Sequence, residues 1–217
     1  MIEVLYRDEH IVVCIKPAGI LSQEGKGEDM PGLIKKQLGA AAVYPVHRLD
    51  KAVSGVMVYG LSAAAAAGLS RAVQERSLEK IYLAVLRGIP QEASGVLEDL
   101  LFHDKTKNKT YVVQRLRKGV KPAKLSYELL ETAGEQALVR VRLHTGRTNQ
   151  IRVQFASRRL PLVGDGRYGG KDTSSALGLW SAALVFRHPV TGERMVCSKE
   201  PPSELPWSAF NTEGDIL

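Results

Sequence analysis

The 217 residues are 44% hydrophobic and 24% charged, with a formal net charge of +7 at neutral pH. This is the composition of a globular chain that buries a substantial core, as one domain or two small lobes. No stretch approaches the roughly 18–20 consecutive apolar residues that cross a bilayer, so no membrane partner is expected. Cys14 and Cys197 stand alone, without a Cys-x-x-Cys neighbour, which argues against a disulfide or zinc framework and for a reducing cytoplasm.

The opening "MIEVLYRDEHIVVCIKPAG" reads as strand, tight turn and strand. It lacks the basic region, apolar run and small-residue cleavage site of a signal peptide. Asp29 followed by Pro31 predicts a helix over residues 31–39, since proline suits the first helical turn. Next comes "YPVHRLDKAVSG", in which one carboxylate, Asp50, lies two residues beyond Arg48 and three beyond His47, between bulky Val46 and Val53. A surface turn produces such a cluster by chance. A nucleophile or a base requires it, because nearby positive charge keeps a partly buried carboxylate ionised. "GVMVYG" is strand-like, and Ser62 caps an alanine-rich helix running to about Glu75. In "EKIYLAV" a strand puts Lys80 and Tyr82 on one face and Ile81, Leu83 and Val85 on the other.

The charge is unevenly distributed. From Asp104 to Lys124 there are eight basic residues and one acid, a net of +7 that equals the excess of the whole chain, 30 Lys and Arg against 23 Asp and Glu. With Tyr111 inside it and Lys118, Lys121 and Lys124 towards its end, the segment suits a polyanion such as RNA. The plainer reading is a solvated hairpin. Strands follow in "TYVVQ", "LSYELLE" and "ALVRVRL", the last alternating as in a sheet with one solvated face. Thr148 is placed to cap a third helix, "NQIRVQFASR", with Ile151 and Phe155 on one face and Thr148 beside Arg152. "ALVFR" and "RMVCS" are the last strands. Many strands with few, scattered helices predict an α+β domain on a mainly antiparallel sheet.

Several chemistries are set aside. There is no Gly-x-Gly-x-x-Gly or Walker-type loop, so no nucleotide cofactor is expected. The histidines at 10, 47, 103, 144 and 188 show no metal-ligand spacing, so no metal is expected. Ser54 lies in "VSGV", not in a Gly-x-Ser-x-Gly elbow, which argues against a serine hydrolase.

Three separated segments together resemble one family. "HRLDKAVSG" is similar to the signature loop of the RluA family of pseudouridine synthases, His-Arg-Leu-Asp-x-x-Thr-Ser-Gly. "KIYLAV" resembles that family's Lys-x-Tyr strand, and "HTGRTNQIRVQFASRRLPLVGDGRYG" its third segment, ending in Gly164, Asp165, Tyr168 and Gly169. "IVVCIKPAGIL" is like the family's first strand and Lys-Pro-x-Gly turn, and "HPVTGE" like its closing hairpin. The resemblance runs over nearly the whole chain in the expected order.

The resemblance implies a pseudouridine synthase fold with a catalytic cleft on the sheet, as a single catalytic domain over residues 1–217 that begins directly, without an S4-like RNA-binding domain in front. It implies isomerisation of uridine to pseudouridine in ribosomal or transfer RNA, at a loop or bulge, by a cytoplasmic, cofactor-free monomer. Asp50 is then the catalytic carboxylate, as nucleophile or as base. Arg152 matches the arginine that pairs with it, and Tyr82 the tyrosine that stacks on uracil and helps remove its C5 proton. Arg48 matches the residue that fills the space left by the extruded nucleotide. His47, Lys80, Arg147 and Asn149, with Lys118, Lys121 and Lys124, are the further expected RNA contacts. Two positions depart from the pattern: Val53 stands where threonine is usual, and Asn149 where histidine is. The competing readings are an RNA-binding protein that keeps the fold without chemistry, and a nucleoside hydrolase or glycosidase. Intact Asp50, Tyr82 and Arg152 speak against the first, and the lack of a second motif carboxylate against the other.

Overall fold

A computed structural model describes residues 1–170, 176–212, 214 and 216. In chain order they form β1 (Val4–Arg7), β2 (Ile11–Lys16), α1 (Met30–Leu38), β3 (Tyr44–Pro45), β4 (Ser54–Gly60), α2 (Ala63–Gln74) and β5 (Glu79–Arg87). Then come β6 (Ser94–Asp104), β7 (Lys109–Val113), β8 (Val120–Ala133), β9 (Gln136–Leu143), α3 (Gln150–Ala156), β10 (Leu179–Arg187) and β11 (Arg194–Ser198). This is the expected α+β class, with nearly all strand pairs antiparallel. The chain folds as two compact units, Met1–Lys80 with Trp180–Lys199, and Ile81–Leu179 with Glu200–Leu217. Among the described residues no helix is long and apolar enough to cross a membrane.

In the first unit the strand order is β1-β2-β4-β10, with β11 on β10 and β3 on β4. β2 is buried along its whole length and β4 along all but Ser54, which is why both read as unbroken apolar runs. Asp29 and Ser62 cap the two helices: each side chain accepts a backbone N–H of the first turn, from Gly32 at 2.8 Å and Ala65 at 3.2 Å. β4 and β10 form a parallel pair, with Trp180 opposite Ser54 and Ser181 opposite Gly55. Gly55 has φ of +122°, and a Cβ there would run into the Ser181 backbone. The Ser-Gly after the Asp50 loop thus lets the chain enter β4 hard against β10.

The second unit is an antiparallel meander in the order β5-β9-β8-β6-β7. β8 carries an irregularity between Leu129 and Glu131, a bulge that bends this 14-residue strand. α3 packs on β6 and β7. Val153 joins Leu101 and Ala123 in a small core cluster against Val112 and Tyr168, while Gln154 Nε2 donates to the Leu97 carbonyl at 3.2 Å and Asp99 at 2.7 Å.

One local expectation fails. Thr148 does not cap α3: Asn149 occupies that position in left-handed backbone and makes no side-chain capping bond. β5 is buried on both faces over Ile81–Leu86. In β9 the alternation does hold around Arg140 and Arg142, and Arg140 reaches Glu128 at 2.6 Å.

Candidate active site

The Asp50 loop belongs to the first unit and is stitched to the turn that follows β2. Ser22 Oγ accepts the Leu49 N–H at 3.0 Å and donates back to the Leu49 carbonyl, while the Val53 N–H closes a turn onto the Asp50 carbonyl at 3.0 Å. The next carbonyl, that of Lys51, accepts the Gly19 N–H at 2.8 Å. It also accepts Lys16 Nζ at 3.2 Å, and the same ammonium donates to the Pro17 and Ile20 carbonyls at 2.7 and 2.8 Å. Lys16 is 0% exposed, and three acceptors match the three donors of an ammonium. Burial pushes its pKa down to about 8, opposed by the charge of Asp50. Lys16 therefore stays protonated at neutral pH while its hydrogen bonds fix the turn that carries the half-buried Asp50.

His47 adds no charge to this loop. Its Nε2 accepts the Val58 N–H at 3.2 Å, which places the proton of the neutral ring on Nδ1. Burial, helped by the charge of Lys80, pushes its pKa down to about 3. The pair of cations that the sequence offered beside Asp50 thus reduces to Arg48, which is exposed. Lys80 is half-buried, and burial lowers its pKa.

A second cluster lies in the other unit. Arg152, 7% exposed, meets Asp165, 1% exposed, in a two-pronged pair. Nε donates to Oδ2 at 2.8 Å and Nη2 to Oδ1 at 2.7 Å, the geometry that suits a planar guanidinium. Burial pushes the Asp165 carboxyl up, but the bonds and charge of Arg152, with the Tyr168 and Arg167 N–H groups, hold it below the usual carboxylate range. Asn149 Oδ1 accepts Arg152 Nη1 at 3.1 Å, and Asn149 Nδ2 donates to the Tyr168 hydroxyl at 3.2 Å. The Tyr168 ring centre is 5.4 Å from the guanidinium carbon. Tyr82, on β5 of the same unit, is 4% exposed and stands opposite Val141 of β9.

The sequence profile described as RNA pseudouridylate synthase matches residues 10–157. An uncharacterised RNA pseudouridine synthase of Aquifex aeolicus is 34% identical, over 93% of this chain and 70% of its own length. The dual-specificity RNA pseudouridine synthase RluA of Escherichia coli K12 is 34% identical, over 88% of this chain and 90% of its own. The chain belongs to the RluA family of RNA pseudouridine synthases. Another relative, the ribosomal large subunit pseudouridine synthase D of Xanthomonas campestris, is 33% identical, over 94% of this chain and 67% of its own. Human RNA pseudouridylate synthase domain containing 1 shares the fold, with a TM-score of 0.79 at 24% identity over 95% of this chain and 85% of that one.

Sequence reasoning did not single out Lys16, nor Asp165 and Tyr168, which the structure places beside Arg152. All lay inside quoted motifs, Lys-Pro-x-Gly and Gly-Asp-x-x-Tyr-Gly, so the motif glycines were the available signal. Asn149, expected to meet RNA, is 5% exposed with both polar atoms engaged inside the protein. His47 likewise turns Nε2 inward. Arg147 is half-buried and donates from Nε to the Pro122 carbonyl at 3.0 Å. Lys118, Lys121 and Lys124 are exposed, and Lys124 pairs with Glu98 at 2.6 Å. Among the described residues no group of three or more His, Cys, Asp and Glu is arranged to hold a metal ion.

Proposed function

We propose that this synthase isomerises uridine to pseudouridine in ribosomal or transfer RNA, with Asp50 as its essential carboxylate and residues 1–217 as one catalytic domain. The observation that carries the reading is the setting of Asp50, on a turn fixed by a fully buried lysine whose ammonium donates to three main-chain carbonyls. In the reaction the bond from the sugar to N1 breaks, the freed base turns, C5 bonds to the sugar, and the C5 proton is lost as N1 gains one. No water is consumed. One acid therefore suffices, whereas glycosidases that deliver water need a second carboxylate.

Asp50 acts as nucleophile or as base, and Arg152 is the arginine that the family resemblance assigns to the reaction. Tyr82 stacks on the uracil, and Arg48 fills the space of the extruded nucleotide, whose extrusion costs a few kcal/mol and less from a loop or bulge than from a duplex. Lys80, Arg147 and the exposed lysines 118, 121 and 124 take phosphates. One relative is named for the large ribosomal subunit, which supports ribosomal RNA as a target. The enzyme works as a monomer in the cytoplasm.

The test is a pseudouridine map of total RNA from cells lacking the protein, restored with wild type or with Asp50→Asn. The amide keeps the shape but neither attacks nor takes a proton. Sites should disappear on deletion, return with wild type and stay absent with Asp50→Asn, whose RNA affinity should be intact. A variant that restores every site would end this mechanism.

A further inference from the structure

We propose that Asn149 and Tyr168 form a positioning pair that aims the Arg152 guanidinium and ties that aim to the seating of β7, the strand that starts at Lys109 within the basic segment. The inference rests on the reading of Arg152 as part of the reacting site. Asn149 has φ of +53° and ψ of +26°, a left-handed conformation that asparagine tolerates better than most residues. An asparagine at the start of a helix ordinarily caps it, yet this one makes no capping bond. Its side chain is instead turned into the protein, 5% exposed.

The orientation of its amide is forced. A guanidinium only donates, so the carbonyl oxygen must face Arg152 Nη1, at 3.1 Å, and the NH2 must face the Tyr168 hydroxyl, at 3.2 Å. The fork onto Asp165 fixes Nε and Nη2, and Asn149 adds a hold on Nη1. The Tyr168 hydroxyl also accepts the Thr110 N–H of β7 at 2.9 Å. Thr110 is 1% exposed, and its Oγ1 donates to the Thr148 carbonyl, beside Asn149, at 3.0 Å. The Tyr168 ring is shared by the Arg152 guanidinium at 5.4 Å and Lys109 Nζ of β7 at 5.3 Å. A continuous path thus runs from β7 through phenol and amide to the guanidinium. An RNA phosphate that draws on β7 acts on the same phenol that holds Asn149.

The test measures single-turnover rate, RNA affinity and melting temperature for Asn149→Ala, Asn149→His, Tyr168→Phe, the Asn149→Ala/Tyr168→Phe double variant and Arg152→Lys. Misaiming a reacting-site group lowers rate steeply, so Asn149→Ala should turn over about 10- to 100-fold more slowly, with RNA affinity unchanged. Tyr168→Phe should lose rate in the same way, and the double variant should be no slower than Asn149→Ala, since the two are links of one path. Asn149→His should recover most of the rate, because histidine also enters the left-handed region and offers an acceptor and a donor on its two nitrogens. Should Asn149→Ala not fold, Tyr168→Phe carries the expected loss of rate and Asn149→His the expected recovery. A normal rate in folded Asn149→Ala, multiplying losses in the double variant, or losses in rate matched by losses in RNA affinity would overturn the pair. If Arg152→Lys is slow while Asn149→Ala is normal, the pair falls and the Arg152 reading stands. If Arg152→Lys reacts at the wild-type rate, both fall.

Discussion

Lys16 is fully buried and binds three main-chain carbonyls, one of them immediately after Asp50. Lys16→Met keeps the length and removes the donors. Losing the hydrogen bonds of this buried ammonium should cost on the order of 3 kcal/mol of stability. Turnover should fall further than the folded fraction accounts for, because the Asp50 turn loosens. Urea unfolding alongside rates taken well below the melting temperature checks both. Tyr82 separates chemistry from packing. A base stacked on an aromatic gains about 1–3 kcal/mol, which Tyr82→Phe keeps while losing the hydroxyl. We expect the Phe variant to fold, bind RNA and detach the base, yet stall before product. A fully active Phe enzyme would remove the hydroxyl from the reaction, and a Leu variant that loses thermal stability but not turnover would make Tyr82 plain core. Asp50, Tyr82 and Arg152 were singled out as candidates in the sequence because each sits in a short motif. Lys16 was not, because a lysine before Pro-x-Gly looks like a solvated turn, and its partner Lys51 lies 35 residues away.

Helix starts were readable where the capping chemistry is local. Asp29 and Ser62 each bond three residues ahead, and α1 and α2 begin where these residues predict. α3 was misread because its start is held by side-chain bonds other than a cap, one of them to distant Tyr168. Asn149 is drawn to Arg152 and Tyr168, and Gln150 Oε1 accepts from Thr145 Oγ1 at 2.8 Å and the Arg147 N–H at 3.0 Å. The burial of β5 was likewise hidden, since the polar Lys80 and Tyr82 on one face imitate solvent exposure. The basic segment resolves into the end of β6, a turn, β7, a connecting loop and the start of β8, with Lys118 and Lys121 exposed and Lys124 already paired to Glu98. If the segment meets phosphates, RNA affinity should fall steeply with salt, by about 0.7–0.9 in the logarithmic slope per phosphate neutralised. Lys118→Ala with Lys121→Ala should flatten that slope, and adding Lys124→Ala should change it less, because Glu98 already offsets that charge. Titrations at several salt concentrations give the slopes. Unchanged affinity and slope would make the segment a solvated surface.

For the whole molecule, the groups with depressed pKa values determine how it fails in acid. His47 falls from an ordinary 6.5 to about 3, chiefly through burial, so between those values the unfolded chain carries a proton that the native ring refuses. Its contribution is complete above about pH 6.5 and is lost as pH falls towards 3. One extra proton on the unfolded state gives a slope of about 1.4 kcal/mol per pH unit. Asp165 and Asp8 are held below 3.8, so their contributions persist to lower pH and are lost only on further acidification. The first loss on acidification should therefore come from His47, on the order of 3 kcal/mol between pH 7 and pH 4.5. His47→Gln supplies a carbonyl for the Val58 N–H without a titrating ring. Its stability at pH 7 should be close to wild type or somewhat below, and its acid limb should begin nearer pH 4. Urea midpoints at pH 7, 5.5 and 4.5 for both proteins test this. Parallel losses in the two would mean that His47 takes its proton in the native state, and the neutral ring bonded to Val58 would have to be abandoned.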